Sequence, residues 1–351
     1  MSYDAVLLVS FGGPNGPADV IPFLENVLRG KNVPRERMLE VAEHYYHFGG
    51  VSPINQQNLQ LKEALQEHLS NVGPNLPIYW GNRNWHPLLA DTLQQMKADG
   101  VQRCLALMTS AFSCYSGCRQ YREDLAKALE QVGGGLVIHK LRVFFNHPGF
   151  ILPIARRCAE FYQSWSPAQL ANGRILFCAH SIPNAMAAGS AYEMQLREAS
   201  RLVAEQIGAP ESQWELVFQS RSGPPTQPWL EPDVCDRIRQ LHSEQGVQTV
   251  MVVPIGFVSD HLEVLYDLDT EAKALCEELG VQFQRVATVG NAPEFVTALG
   301  DLIRERTSAA PRTAIGNLPA NHDFCPMDCC LSGRPGAPTL PTVAGVDQIG
   351  S

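Results

Sequence analysis

The sequence predicts an α/β protein of two doubly wound halves, each with a parallel four-stranded sheet. Three observations carry this. Apolar runs of strand length recur at residues 3–11, 76–81, 104–109 and 136–143, and again at 174–179, 216–219, 249–255 and 283–287. Segments with helical spacing of apolar residues separate many of them, as parallel crossovers demand. The loops rich in Gly, Pro, hydroxyls, His or acids follow strand ends, where doubly wound sheets bind ligands. With 351 residues, 45% of them hydrophobic, the chain can fill two cores.

Taken in order, residues 3–11 are rich in Val and Leu and break at Gly12-Gly13-Pro14, which no continuing strand tolerates. Residues 18–29 place Val20, Phe23, Leu24, Val27 and Leu28 at helical spacing, and Arg29 closes that helix. The turn Gly49-Gly50-Val51-Ser52-Pro53 precedes a helix over 55–69 with Leu59, Leu61, Leu65 and Leu69 on its apolar face. The third strand opens onto SAFSCYSGCRQY at 110–121, which reads as a lining more than a linker. A helix over 148–165 carries Cys158. The first half is expected over 1–160 and the second over 161–309, where the layout repeats. After Ala309 the composition turns to Pro, Gly, Asn and Thr, so 310–330 stands apart as a cysteine-bearing segment and 331–351 is expected to be a disordered tail.

A net charge of −9 without a Lys/Arg cluster excludes a general nucleic-acid binder and points to a small partner. No apolar run approaches the roughly 18 residues of a membrane span, and MSYDAVLLVSF lacks the features of a signal peptide, so a cytoplasmic protein is expected. Ten cysteines in a reducing compartment then imply buried thiols or metal ligation rather than disulfides.

The densest chemistry lies in 256–271, GFVSDHLEVLYDLDTE, with one histidine and five acids. Glu263, Asp267 and Glu271 recur at every fourth residue. An α-helix would drift by about 40° per step, whereas a π-type turn would straighten the row. By spacing alone a solvated helix face is the commoner reading. Away from bulk water, such a row needs bound cations or shared protons. His180 follows a strand directly; alone it is more often a capping residue, but facing a carboxylate row it suits handling a divalent ion such as Fe2+. His261 is placed behind Glu263, since helix positions two apart face different ways.

Cys325, Cys329 and Cys330 sit in a coreless segment where burial does not explain them. Four thiolates complete a [2Fe–2S] or a zinc site, so a fourth must come from elsewhere, Cys158 being one candidate among seven. Cys114 and Cys118, as one CxxxC pair, are weak evidence for metal. Arg29, Tyr45, Ser52, Asn55, Ser113, Tyr115, Arg119 and Tyr121 offer hydroxyls and cations suited to a carboxylate ligand.

The stretches LLVSFGGP, HFGGVSPIN, WHPL, FCAHSIP and GFVSDHLEVLYDLD, spread over about residues 4–305, are similar to the ferrochelatases, particularly the actinobacterial coproporphyrin type. The resemblance implies two Rossmann-like halves around a porphyrin cleft, with His180 and Glu263 as the catalytic pair. Asp267 and Glu271 match acids along the family's π-helix, a metal path outward. The implied reaction inserts Fe2+ into coproporphyrin III with release of two protons, a lyase step in haem biosynthesis. Implied partners are the porphyrin, ferrous iron and the next haem-pathway enzyme, with the chain a monomer. The family also implies a [2Fe–2S] cluster on Cys158, Cys325, Cys329 and Cys330. Two positions depart from the pattern. Phe11 replaces a metal-contacting tyrosine of some relatives and is expected to pack on the ring. His44 replaces an arginine, leaving Arg29, Tyr45, Ser52 and Tyr121 as propionate anchors, with Ser113 beside them. A protoporphyrin IX ferrochelatase, a cobalt chelatase acting on a corrin precursor and a non-catalytic porphyrin or haem carrier are the alternatives; the carboxylate row favours an enzyme.

Overall fold

Parallel neighbours cannot be joined by a tight turn, so the chain must cross back over the sheet between them. The computed structural model, which describes residues 2–31, 33–224 and 226–348, has this construction twice. In the first half β1 (Ala5–Ser10), β2 (Ile78–Asn82), β3 (Arg103–Met108) and β4 (Val137–Lys140) pair in the order β2-β1-β3-β4. In the second, β5 (Arg174–His180), β6 (Trp214–Gln219), β7 (Thr249–Val253) and β8 (Gln282–Arg285) pair as β6-β5-β7-β8. All pairings are parallel. Every residue of β1 and β7 is buried, because helices cover both faces.

Both sheets have the same strand order, and therefore the same switch point. The chain turns one way after the first strand and the other way after the third, which opens a crevice at their carboxyl ends. Those ends carry Phe11-Gly12-Gly13 and residues 109–114 in the first half, and His180 and residues 254–263 in the second.

The apolar core runs across the two halves. Helix Pro293–Thr307, late in the chain, packs on Pro148–Tyr162 and on Ile54–Val72 of the first half. Phe144, Phe150 and Phe295 meet there, with ring centroids 5.4 to 6.1 Å apart. Each ring contributes roughly 1.5–3 kcal/mol by leaving water. Gly149 permits the close approach: a Cβ built on it would lie 2.4 Å from the Glu294 carbonyl oxygen.

Helix Arg35–His47 escaped the sequence reading because its apolar face is thin. It buries only Met38, Ala42 and Tyr45. With Val20–Leu28 it closes a separate small core that also takes in Leu262 of the second half, so these helices form a cover beside the acidic stretch.

The expectation of a disordered tail over 331–351 is corrected for 331–348; the last three residues lie outside those described. Val343 and Ala344 are buried, and Arg122 donates to the Val343 carbonyl at 2.8 Å and to the Thr342 hydroxyl at 2.9 Å. The segment before it is held in the same way. Arg119 donates to the carbonyls of Met327 and Cys329, Lys140 to that of His322, and Asn146 to that of Leu318. Composition hid this, since the ligands of these side chains are backbone oxygens that every sequence carries. Among the described residues no helix is long and apolar enough to cross a membrane.

Gly149→Ala is expected to lower unfolding stability by about 1–3 kcal/mol, because the added methyl meets backbone that cannot swing aside. Urea denaturation with an unchanged m-value checks it.

Candidate active site

His180 ends β5, in register with Gln219 at the end of β6. Its Nδ1 lies 2.5 Å from the Ser181 carbonyl oxygen. A carbonyl only accepts, so Nδ1 carries a proton, and in the neutral imidazole Nε2 presents a lone pair. Nε2 faces Glu263, with Nε2 and Oε2 4.0 Å apart. Both side chains are part-exposed, 35% and 49%, so the pair is open to a ligand rather than sealed in the core. Tyr192 donates to the His180 carbonyl at 3.0 Å, and Ser181 is held by the Gln219 and Leu230 carbonyls. The imidazole is thus fixed by main-chain contacts that leave its reactive nitrogen free.

The acids follow on a helix that is π-helical over Leu265–Ala272. Arg285 grips it from outside, with paired bonds to Asp269 at 2.7 and 2.8 Å and another to Asp260 at 2.6 Å. Asp267 is pushed up to about 7, mainly by burial; Glu263 and Glu271 add to the rise, while the Ser220 hydroxyl bond and His180 oppose it. Glu271 is also raised, by burial and then by Asp233, itself raised by burial. The row therefore runs from a part-exposed Glu263 to two carboxyls whose proton affinity is raised. His261 is lowered by burial and packs edge-on against Phe257, behind the pair.

The expected substrate-binding residues have different fates. Phe11 is half-buried beside Phe23, with the Arg83 guanidinium 5.7 Å from its ring. Tyr45 is buried in the covering helices, its hydroxyl raised by burial and by Glu263. Ser52 is buried against Gly13, Tyr121 is buried beneath Arg83 at 4.4 Å, and Arg29 is exposed and bonded to Asn26. Ser113 is an internal joint rather than a lining group: its hydroxyl takes bonds from Gln195 and Asn321. His44 stacks on Tyr266 of the π-helix, centroids 3.7 Å apart. Sequence reasoning passed over Arg83, although it follows β2 directly and the strand-end rule would have found it. Arg83 is paired with Asp124 at 2.6 Å. Lys31 is exposed at the surface yet lowered by desolvation from the surrounding protein and then by Arg83 and Arg334, and it lies within electrostatic reach of Glu263. A surface concavity of about 740 Å³ lies elsewhere, lined by Arg and Glu of helix Tyr192–Ile207 and by Trp214, and does not include the His180–Glu263 pair.

The thiols require a correction. Cys158 is fully buried in the apolar core on Pro148–Tyr162, and that core, not the tail, surrounds it. The thiol that meets Cys325 is Cys118, on the short π-helix Tyr115–Arg119. Cys325 is pushed down by hydrogen bonds from Cys118 and Cys329. Cys329 and Cys330 sulfurs are 3.5 Å apart, and Cys330 has a φ of 55°, the bend that lets adjacent residues aim two thiols together. The donor atoms of His322, Cys325 and Cys329 lie within 4.8 Å of one another. Four thiols thus converge as a thiolate-bound cluster requires, with Cys118 in the place expected for Cys158.

A family model described as ferrochelatase matches residues 3–307. A ferrochelatase from Rhodopirellula baltica is 56% identical, the alignment covering 98% of this chain and 96% of that one. The coproporphyrin III ferrochelatase of Streptomyces coelicolor is 50% identical, over 99% and 97%. Among solved structures, SirB from Bacillus subtilis with Fe3+ superposes with a TM-score of 0.53 at 11% identity, covering 88% of this chain and 97% of that one, a likeness of fold.

Asp267 also predicts a pH dependence. Its folded pKa of about 7 lies above the ordinary 3.8, so unfolding releases a proton between these values and stability falls as pH rises through that window. Asp267→Asn, measured metal-free, is expected to melt higher than wild type at about pH 8 and no higher at about pH 4.

Proposed function

Because this chain belongs to the ferrochelatase family, we propose that it inserts Fe2+ into coproporphyrin III to give coprohaem. The observation that carries the reading is the His180–Glu263 pair, a free imidazole nitrogen 4.0 Å from a carboxylate at a switch-point crevice. Metal insertion expels two pyrrolic protons, and a flat macrocycle resists a hydrated ion. A crevice that binds a puckered ring better than a flat one lowers that barrier. Nε2 of His180 and the Glu263 carboxylate are the acceptors for the departing protons, and both also suit an incoming Fe2+. Asp267 and Glu271 continue the row as a route for iron inward or protons outward. Phe11 offers an apolar face and no ligand to the metal, so reaction proceeds from the His180 side.

Coproporphyrin differs from protoporphyrin in carrying four propionates rather than two, and cations must answer them. Lys31, which interacts electrostatically with Glu263, and Arg83 and Arg334 beside it supply such charge, and Arg29 adds an exposed guanidinium at the end of its helix. Cys118 of the first half and the tail thiols Cys325, Cys329 and Cys330 would hold a [2Fe–2S] cluster, which when bound supplies a one-electron redox centre and a clamp between tail and first half. We place the protein in the cytoplasm as a monomer, with the next haem-pathway enzyme taking its product.

His180→Ala is expected to lose at least about 100-fold in insertion rate while porphyrin fluorescence quenching still reports binding. Insertion at a wild-type rate in that variant would remove His180 from the chemistry. Under anaerobic conditions coproporphyrin III should outpace protoporphyrin IX; the reverse order would overturn the substrate assignment. Visible absorption and acid-labile sulfide should disappear in Cys118→Ser and persist in Cys158→Ala.

A further inference from the structure

Ser220 stands at φ 59°, a left-handed backbone conformation that serine rarely adopts and glycine takes freely. It follows Gln219, the last residue of β6, at the carboxyl edge of the second sheet. Along a regular strand consecutive side chains leave on opposite faces. Here they do not. Gln219 Nε2 donates to Asp267 Oδ2 at 3.0 Å, and the Ser220 hydroxyl donates to that same oxygen. The reversal at Ser220 is what lets two successive side chains converge on one carboxylate oxygen.

Gln219 is fixed in turn. It is buried, its Oε1 accepts from the Cys178 thiol at 3.3 Å, and its carbonyl accepts the Ser181 amide at 2.8 Å beside His180. Its amide also reaches the Glu263 carbonyl at 3.4 Å. The end of β6 thus links the His180 turn to the first two acids of the row. With Oδ2 occupied by two donors, Oδ1 is the oxygen left for a cation.

We propose that Ser220 is a positioning residue that orients the Asp267 carboxylate toward incoming Fe2+, and that its strained backbone is retained for that hydroxyl bond. Glycine would relieve the strain but could not make the bond, so the local conformation and the residue conflict unless the hydroxyl serves the site. The inference rests on the reading that Asp267 lies on the iron route.

The test uses the full chain with coproporphyrin III and Fe2+ under anaerobic conditions. Ser220→Gly is expected to melt at or above the wild-type temperature, keep the porphyrin KM, and raise the KM for Fe2+ roughly tenfold, the scale of one hydrogen bond to a charged group. Ser220→Ala, which keeps the strain and loses the hydroxyl, should raise it equally with no gain in melting temperature. Asp267→Asn should raise it as much, and adding Ser220→Gly to it should add nothing. An unchanged iron KM in both serine variants, with a raised one in Asp267→Asn, would sink the role of Ser220 while the route stands. No effect in Asp267→Asn would sink the route, and this inference with it.

Discussion

Parallel pairing of strands is the constraint from which the site follows. Because every strand in a half runs the same way, all carboxyl ends lie along one edge, and the strand order places the switch point beside β1 and β5. His180 and the loop before Glu263 reach each other because β5 and β7 are neighbours, although 82 residues lie between the pair along the chain. The same rule in the first half brings Phe11 and the 109–114 loop to its own edge. Packing of Pro293–Thr307 onto Ile54–Val72, and of Leu262 among the covering helices, holds the two halves together around these ends.

The second half keeps its acids at a cost. Asp267 is largely desolvated between two other carboxyls, which favours its protonated form near neutral pH. Arg285 and the Gln219–Ser220 pair counter the repulsion from opposite sides, one through Asp260 and Asp269, the other through Asp267. The wider π turn keeps the row in line where an α-helix would rotate it away. Such an arrangement lowers folding stability in the empty protein and readies it for a cation or a proton.

At the other end of the chain, the first half binds a segment that has almost no core of its own. Buried guanidinium and ammonium groups of Arg119, Arg122 and Lys140 donate to tail carbonyls, and these bonds order the tail. This docking delivers Cys325, Cys329 and Cys330 to Cys118, so the thiol site is assembled from segments about 200 residues apart.

Local signals in the sequence determined the eight strands, several of the helices, the strand-end position of His180 and the four-residue spacing of Glu263, Asp267 and Glu271. These depend on periodicity and turn chemistry within a few residues, which short-range sterics enforce. Only the tertiary structure decided that Cys118 rather than Cys158 meets the tail, that Ser113 is spent on an internal joint, that the last segment docks, and that Ser220 turns back onto Asp267. Each is a meeting of groups far apart in sequence, or a reversal of side-chain direction at one residue. Neither leaves a period or a composition to read, because packing of whole elements sets it.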